Sequence, residues 1–120
     1  MDTISTITAL ADETRMRVVC LLQEAEDLCS CEIQALLKLN QSNLSRHLTR
    51  LRQSGLIKGE KRGQWVHLQI NSGDWEERKY IPGIIKSAKK DLPLITEDLR
   101  RLKSYRSSGY SCKTIGEWQP

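Results

Sequence analysis

Residues 40–67, NQSNLSRHLTRLRQSGLIKGEKRGQWVH, constrain this chain more than any other stretch. A cationic amphipathic segment stops at a glycine, and a basic turn between two short apolar runs follows at once. Leu44, Leu48 and Leu51 recur at i, i+4 and i+7, the spacing that lays one stripe of a helix against a core. The opposite face carries Gln41, Ser42, Ser45, Arg46, Thr49 and Arg50 without a carboxylate among them, a set suited to phosphate oxygens and base edges. His47, one residue before the inward Leu48, is placed either to join that contact or to pack the helix on its neighbour. Upstream, residues 31–39 make a shorter helix with Ile33, Leu36 and Leu37 inward, and Asn40 caps the helix after it. Downstream, Gly55 ends the second helix and Leu56 packs back on it. Residues 57–60 read as a strand, Lys61-Arg62-Gly63-Gln64 as a turn, and 65–70 as a return strand with Val66, Leu68 and Ile70 on one face. Lys61 and Arg62 then stand at the hairpin tip, within reach of a phosphate or a minor groove. Two helices joined by a tight turn, followed by a basic hairpin, describe a winged helix-turn-helix: mainly α with a small β-hairpin.

Charge distribution supports a duplex partner. Residues 41–64 hold six Lys/Arg against the single acid Glu60, whereas the whole chain is only +4. Phe is absent and aromatics are few, which disfavours stacking on single strands. No apolar run reaches the length of a membrane span, and the first residues, MDTISTITALADE, lack a signal-peptide core. The expectation is a cytoplasmic protein with no membrane contact, whose four cysteines (Cys20, Cys29, Cys31, Cys112) are reduced and free for metal or redox chemistry.

One domain is expected over residues 1–105, with 106–120 a flexible C-terminal tail. A short helix covers 4–10, and Asp12 caps a second over 13–23 with Met16, Val19, Cys20 and Leu22 inward. A helix begins near Trp75 and is interrupted at Pro82-Gly83. A long one covers 84–105, kinked or restarted at Pro93. Its stripe of Ile84, Ile85, Ala88, Leu92, Ile95, Leu99 and Leu102 is expected to face a second copy of the chain.

From about residue 9 to 70 the chain resembles the ArsR/SmtB family of metal-responsive winged-helix repressors, and its arsenite-sensing branch in particular. The likeness rests on four blocks in order: LADETRMRVVCLL, DLCSCEIQALL, QSNLSRHLTRLRQSGLI and KRGQWVHLQI. The resemblance implies a homodimer built on the first and last helices. It also implies that the dimer binds an inverted repeat in double-stranded operator DNA and releases it when an inducer binds, with no permanent cofactor. Arsenite-responsive members present Cys-x-Cys-x-x-Cys where this chain has Cys29, Cys31 and then Gln34, so As(III) or Sb(III) is the implied inducer and the third ligand departs from the pattern. Members that sense zinc through the last helix use His there; this last helix has none.

Soft trivalent arsenic or antimony favours thiolate. Residues two apart on an α-helix lie about 200° apart around its axis, so Cys29 and Cys31 are expected to share an ion only if the first turn opens. A helix N-terminus is also expected to lower their pKa. Gln34 offers an amide, a poor donor to a soft ion, and Cys20 sits on an apolar face. Cys112, in the tail, is the expected third ligand, the alternative being two protein sulfurs with a small cytosolic thiol completing the shell. Two further readings remain: a thiol redox or persulfide sensor of the same fold, and a DNA-binding subunit with no inducer. An enzyme is not expected, since no Ser/His/Asp set, phosphate loop or thioredoxin-like βαβ context is present.

Overall fold

The computed structural model describes residues 2–119. Helix α1 (Thr3–Leu10) is capped by the Asp2 carboxylate, which accepts from the Ser5 N–H at 2.8 Å, and α2 (Glu13–Ala25) by Asp12, which accepts from Arg15 N–H at 2.9 Å. A two-residue strand, β1 (Leu28–Cys29), leads directly into α3 (Ser30–Leu37). After a turn comes α4 (Gln41–Gln53), started by Asn40, whose Oδ1 accepts from Asn43 N–H at 2.8 Å. Gly55 takes φ +79° beyond its end, and the Leu56 N–H closes on the Leu51 carbonyl at 3.2 Å.

The wing is β2 (Ile57–Arg62) and β3 (Trp65–Ile70), joined by the two-residue turn Gly63-Gln64 with Gly63 at φ +63°. The first strand therefore runs two residues further than the sequence suggests, and Arg62 pairs with Trp65 inside the ladder. The sheet has the order β1-β3-β2, all antiparallel, with Leu28 opposite Leu68 and Cys29 opposite His67. Trp75, in α5 (Ser72–Glu77), is buried and donates from Nε1 to the Leu56 carbonyl at 3.0 Å, fastening the wing's base to the body.

The expected long terminal helix is two helices, α6 (Tyr80–Asp91) and α7 (Pro93–Ser108). Pro82 lies in the first turn of α6, where a helical N–H has no intrahelical acceptor, so it interrupts nothing. Pro93 is the first residue of α7, and extended backbone at Leu92 makes the restart. The apolar stripe expected to face a partner is consumed within the chain: four of its seven residues, Ile85, Ala88, Ile95 and Leu102, are buried in its own core, and Ile84, Leu92 and Leu99 pack against that core partly buried. The large apolar side chains left exposed on the helices are Ile4 and Ile7 of α1 and Leu94 of α7.

A buried ionic cluster locks α7 to the helix-turn-helix. Arg17 of α2 donates to both oxygens of Asp98 at 2.8 Å, and Arg101 donates to Asp98 at 2.7 Å. The two guanidiniums also reach the last carbonyls of α3: Arg17 to Leu37 at 3.0 Å and Arg101 to Leu36 at 2.7 Å. Those carbonyls have no donor left to them inside the helix, and two cations at a helix C-terminus complement its dipole.

Candidate metal centre and nucleic-acid interface

Three cysteines converge. The sulfurs of Cys29, Cys31 and Cys112 all lie within 4.8 Å of one another, and those of Cys29 and Cys31 are 2.8 Å apart. The spacing requires the first turn to be extended or to unwind before the pair can meet, and at Cys29 it is already extended. Cys29 is not helical; it ends β1 and caps α3 with φ −79° and ψ 161°. Its extended backbone turns the side chain toward the first helical turn, where Cys31 stands. Nothing in the sequence marks Leu28–Cys29 as a strand, because two residues show no period.

The third sulfur is positioned by a tail that is folded, not flexible as expected for residues 106–120. Gly109, at φ +82°, ends α7 and a short 3-10 turn follows over Ile115–Glu117. Ile115 and Trp118 are both buried, and the Trp118 ring meets Tyr105 edge-on with centroids 5.4 Å apart. Two apolar residues three apart are enough to dock a segment that shows no longer period. Cys112 sits between these anchors and the end of α7; its carbonyl accepts from the Cys31 thiol at 3.6 Å.

Glu32 organises the cluster from behind. Its buried carboxylate accepts from the Cys29 N–H at 2.9 Å, the Cys112 thiol at 3.1 Å and the Tyr105 hydroxyl. Burial works to raise its pKa, but these three donors outweigh it and hold the carboxyl below the usual range. The thiols go the other way. Burial pushes Cys29 up to about 12 and also raises Cys31 and Cys112, with the Glu32 charge adding to the effect. The lowering expected from a helix N-terminus is thus overturned by desolvation. Cys20 is fully buried away from the trio and burial raises it to about 11, as an inert core thiol. Gln34, where the three-cysteine pattern would continue, lines a cleft beside Cys31.

On α4, Leu44, Leu48 and Leu51 are buried, while Gln41, Ser42, Ser45, Arg46, Thr49 and Arg50 are exposed together. His47 does not join them. It is half-buried with Nδ1 3.4 Å from Arg15 Nη1 and 3.8 Å from an Asp12 oxygen, so it ties α4 to α2. Lys61 is exposed on the wing. Arg62 is exposed but engaged, donating to Asp27 at 2.9 Å and Glu60 at 3.2 Å. Asp27 also bonds His67 and Gln69 of β3, each at 2.7 Å, and so clamps the wing to the start of β1. Arg52, exposed on α4 at the edge of the cleft, is a basic residue outside the expected DNA-facing set.

The model of the arsR family of bacterial regulatory proteins matches residues 12–58. The arsenical resistance operon repressor of Escherichia coli K12 is 47% identical over 62 residues, which cover 52% of this chain and 53% of that protein. The arsenic resistance transcriptional regulator ArsR1 of Pseudomonas putida is 40% identical over 62 residues, 52% of this chain and 48% of that one. The chain thus spans about half the length of these curated relatives. Among solved structures, the transcriptional regulator HlyU from Vibrio vulnificus superposes with a TM-score of 0.59 at 31% identity, covering 72% of this chain and 83% of that chain. A homodimeric winged helix-turn-helix DNA-binding domain from Mycobacterium bovis shares the fold, with a TM-score of 0.61 at 18% identity and coverage of 73% and 81%.

Proposed function

This chain belongs to the arsR family of bacterial regulatory proteins, and on that premise we propose that it is a cytoplasmic transcriptional repressor that releases operator DNA on binding As(III) or Sb(III). The family is one of regulators, not enzymes. The observation that carries the inducer is the convergence of Cys29, Cys31 and Cys112 within 4.8 Å. A hydrated trivalent metalloid exchanges its three hydroxyls for three thiols, each thiol proton leaving with a hydroxide as water, so neither redox chemistry nor net charge is involved. Soft sulfur donors select such an ion over hard ones.

The signal has a short path. Cys29 lies in β1, which is hydrogen-bonded to wing strand β3, and it caps α3, the first helix of the helix-turn-helix. Drawing three sulfurs onto one ion pulls on both at once. DNA contact falls to Gln41, Ser42, Ser45, Arg46, Thr49 and Arg50 of α4 with Lys61 of the wing. Arg62 takes part only by leaving Asp27 and Glu60. A homodimer through α1 and α7 uses the exposed Ile4, Ile7 and Leu94, and sets two recognition helices about 34 Å apart on successive major-groove faces.

The test is fluorescence anisotropy with a duplex inverted repeat selected by the protein from a random pool. Arsenite should release the wild type, while Cys29→Ser and Cys31→Ser should stay bound; full release of either variant removes the thiol pair from sensing. Peroxide in place of arsenite supplies the competing outcome. Release by peroxide alone favours a redox sensor, a reading supported by the 2.8 Å between the Cys29 and Cys31 sulfurs. In the same assay Arg46→Ala or Arg50→Ala should weaken binding. Each should also flatten the dependence of log K on log salt by about 0.9 for every phosphate the arginine neutralises in the wild type. Unchanged affinity and slope in both variants would take α4 out of the interface.

A further inference from the structure

The wing carries one arginine whose guanidinium is turned back onto the body. Arg62 ends β2 beside the turn Gly63-Gln64, and its Nη2 donates to Asp27 Oδ2 at 2.9 Å and to Glu60 at 3.2 Å. Asp27 has two other donors, both from β3: His67 Nδ1 on Oδ1 and the Gln69 amide on Oδ2, each at 2.7 Å. Each carboxylate oxygen therefore keeps a partner when Arg62 leaves, and the wing stays clamped. The backbone before Asp27 is strained, so its position is imposed by its surroundings. Glu26 stands at φ 72° and ψ −48°, and the Asp27 N–H closes on the Ala25 carbonyl at 2.9 Å, a γ-turn of the rare hand. The three wing donors hold one side of that turn, and Arg106 of α7 donates to the Ala25 carbonyl on the other.

A guanidinium fork fits a carboxylate and a phosphodiester alike. Resting on the DNA-binding reading above, we propose that Arg62 is a backbone-phosphate contact and that Asp27 withholds it. The two anions compete for one guanidinium, so Asp27 sets how tightly the protein holds duplex DNA. The exchange is an easy one. Arg62 is 43% exposed and Asp27 30%, and an ion pair so open to water contributes at most about fivefold to an equilibrium. Glu60 is the weaker holder: it is 64% exposed on Arg62's own strand, so water takes over its charge when the arginine turns away. A phosphate contact carries no base information, so the competition acts on every duplex alike and leaves sequence preference to α4.

A double-mutant cycle read by fluorescence anisotropy on the full chain tests this. Asp27→Asn keeps an acceptor for His67, and the Gln69 amide can turn over to accept from the new one, so the clamp survives without the charge that holds Arg62. Duplex binding should tighten by about threefold to fivefold. The slope of log K on log salt should steepen by about 0.9, for one more phosphate neutralised. Arg62→Ala should leave the wild type within about twofold and abolish the whole gain in Asp27→Asn. Glu26→Gln removes an adjacent charge that does not hold Arg62 and should not reproduce the gain. Asp27→Ser is the second variant, and the one whose thermal melt matches wild type is scored. Unchanged or weaker binding in it makes Asp27 a clamp alone and overturns the inference. A gain that survives Arg62→Ala, or that Glu26→Gln matches, is relief of long-range repulsion and overturns it too. So does a loss beyond twofold in Arg62→Ala itself, since the guanidinium is then not withheld. All three leave the proposed function standing, whereas a wild type that binds no duplex overturns the DNA reading itself.

Discussion

Asp98→Ala is expected to destabilise the chain by about 3–5 kcal/mol. At about 4 °C per kcal/mol for a chain of 120 residues, that is a fall of roughly 12–20 °C in melting temperature. Asp98 is only 1% exposed and neutralises two guanidiniums, Arg17 and Arg101, that are themselves 8% exposed. Removing the carboxylate leaves two buried cations facing each other with no anion between them, and the loss exceeds that of deleting one surface pair. The arginines also cap α3 through the carbonyls of Leu36 and Leu37, so their displacement should loosen the turn that sets α3 against α4. Asp98→Asn keeps an acceptor oxygen and should retain part of the stability. Thermal melts of the three proteins check the order wild type, Asn, Ala. A melt of Asp98→Ala within a degree or two of wild type would show that the cluster contributes no net stability.

None of that cluster is legible in the sequence, because Arg17 and Asp98 are 81 residues apart and each reads alone as a surface charge. What is legible is local and periodic. The helix with Leu44, Leu48 and Leu51 announces itself by its 3.6-residue repeat, Asn40 by its capping chemistry, and the wing by alternation around a glycine. The elements that escape such a reading are those decided by tertiary context. Strand β1 is two residues long and exists because β3 has a free edge beside it. The stripe along α6 and α7 reads as spare, since a sequence does not say whether a core is already full; α2 needs it. His47 has the position of a base-reading residue, yet Arg15 and Asp12 claim it. At the thiol site the residue types are readable from spacing, whereas their mutual approach depends on β1 and on a tail held by Ile115 and Trp118.

That tail makes the second large prediction. Arsenic bound to the wild type, without added small thiols, should show three sulfur neighbours by X-ray absorption. Cys112→Ser should show two, with an oxygen in the third place, and should lose most of its arsenite-driven release of DNA. Cys112 is the expected third donor because Gln34 offers no sulfur and Cys20 is fully buried outside the cluster. It is also held in advance. The Trp118 and Tyr105 rings, the Ile115 side chain and the Glu32 carboxylate fix its sulfur near the pair, so little ordering is left to oppose binding. Trp118→Ala separates that placement from the sulfur itself. It leaves all three thiols present but frees the segment that carries the third, so arsenite affinity should fall while three sulfurs still appear at saturation. Three sulfurs persisting in Cys112→Ser would exclude the tail and require a donor from another molecule. Unaltered affinity in Trp118→Ala would mean that the docked tail gives the ion no advantage over a mobile one.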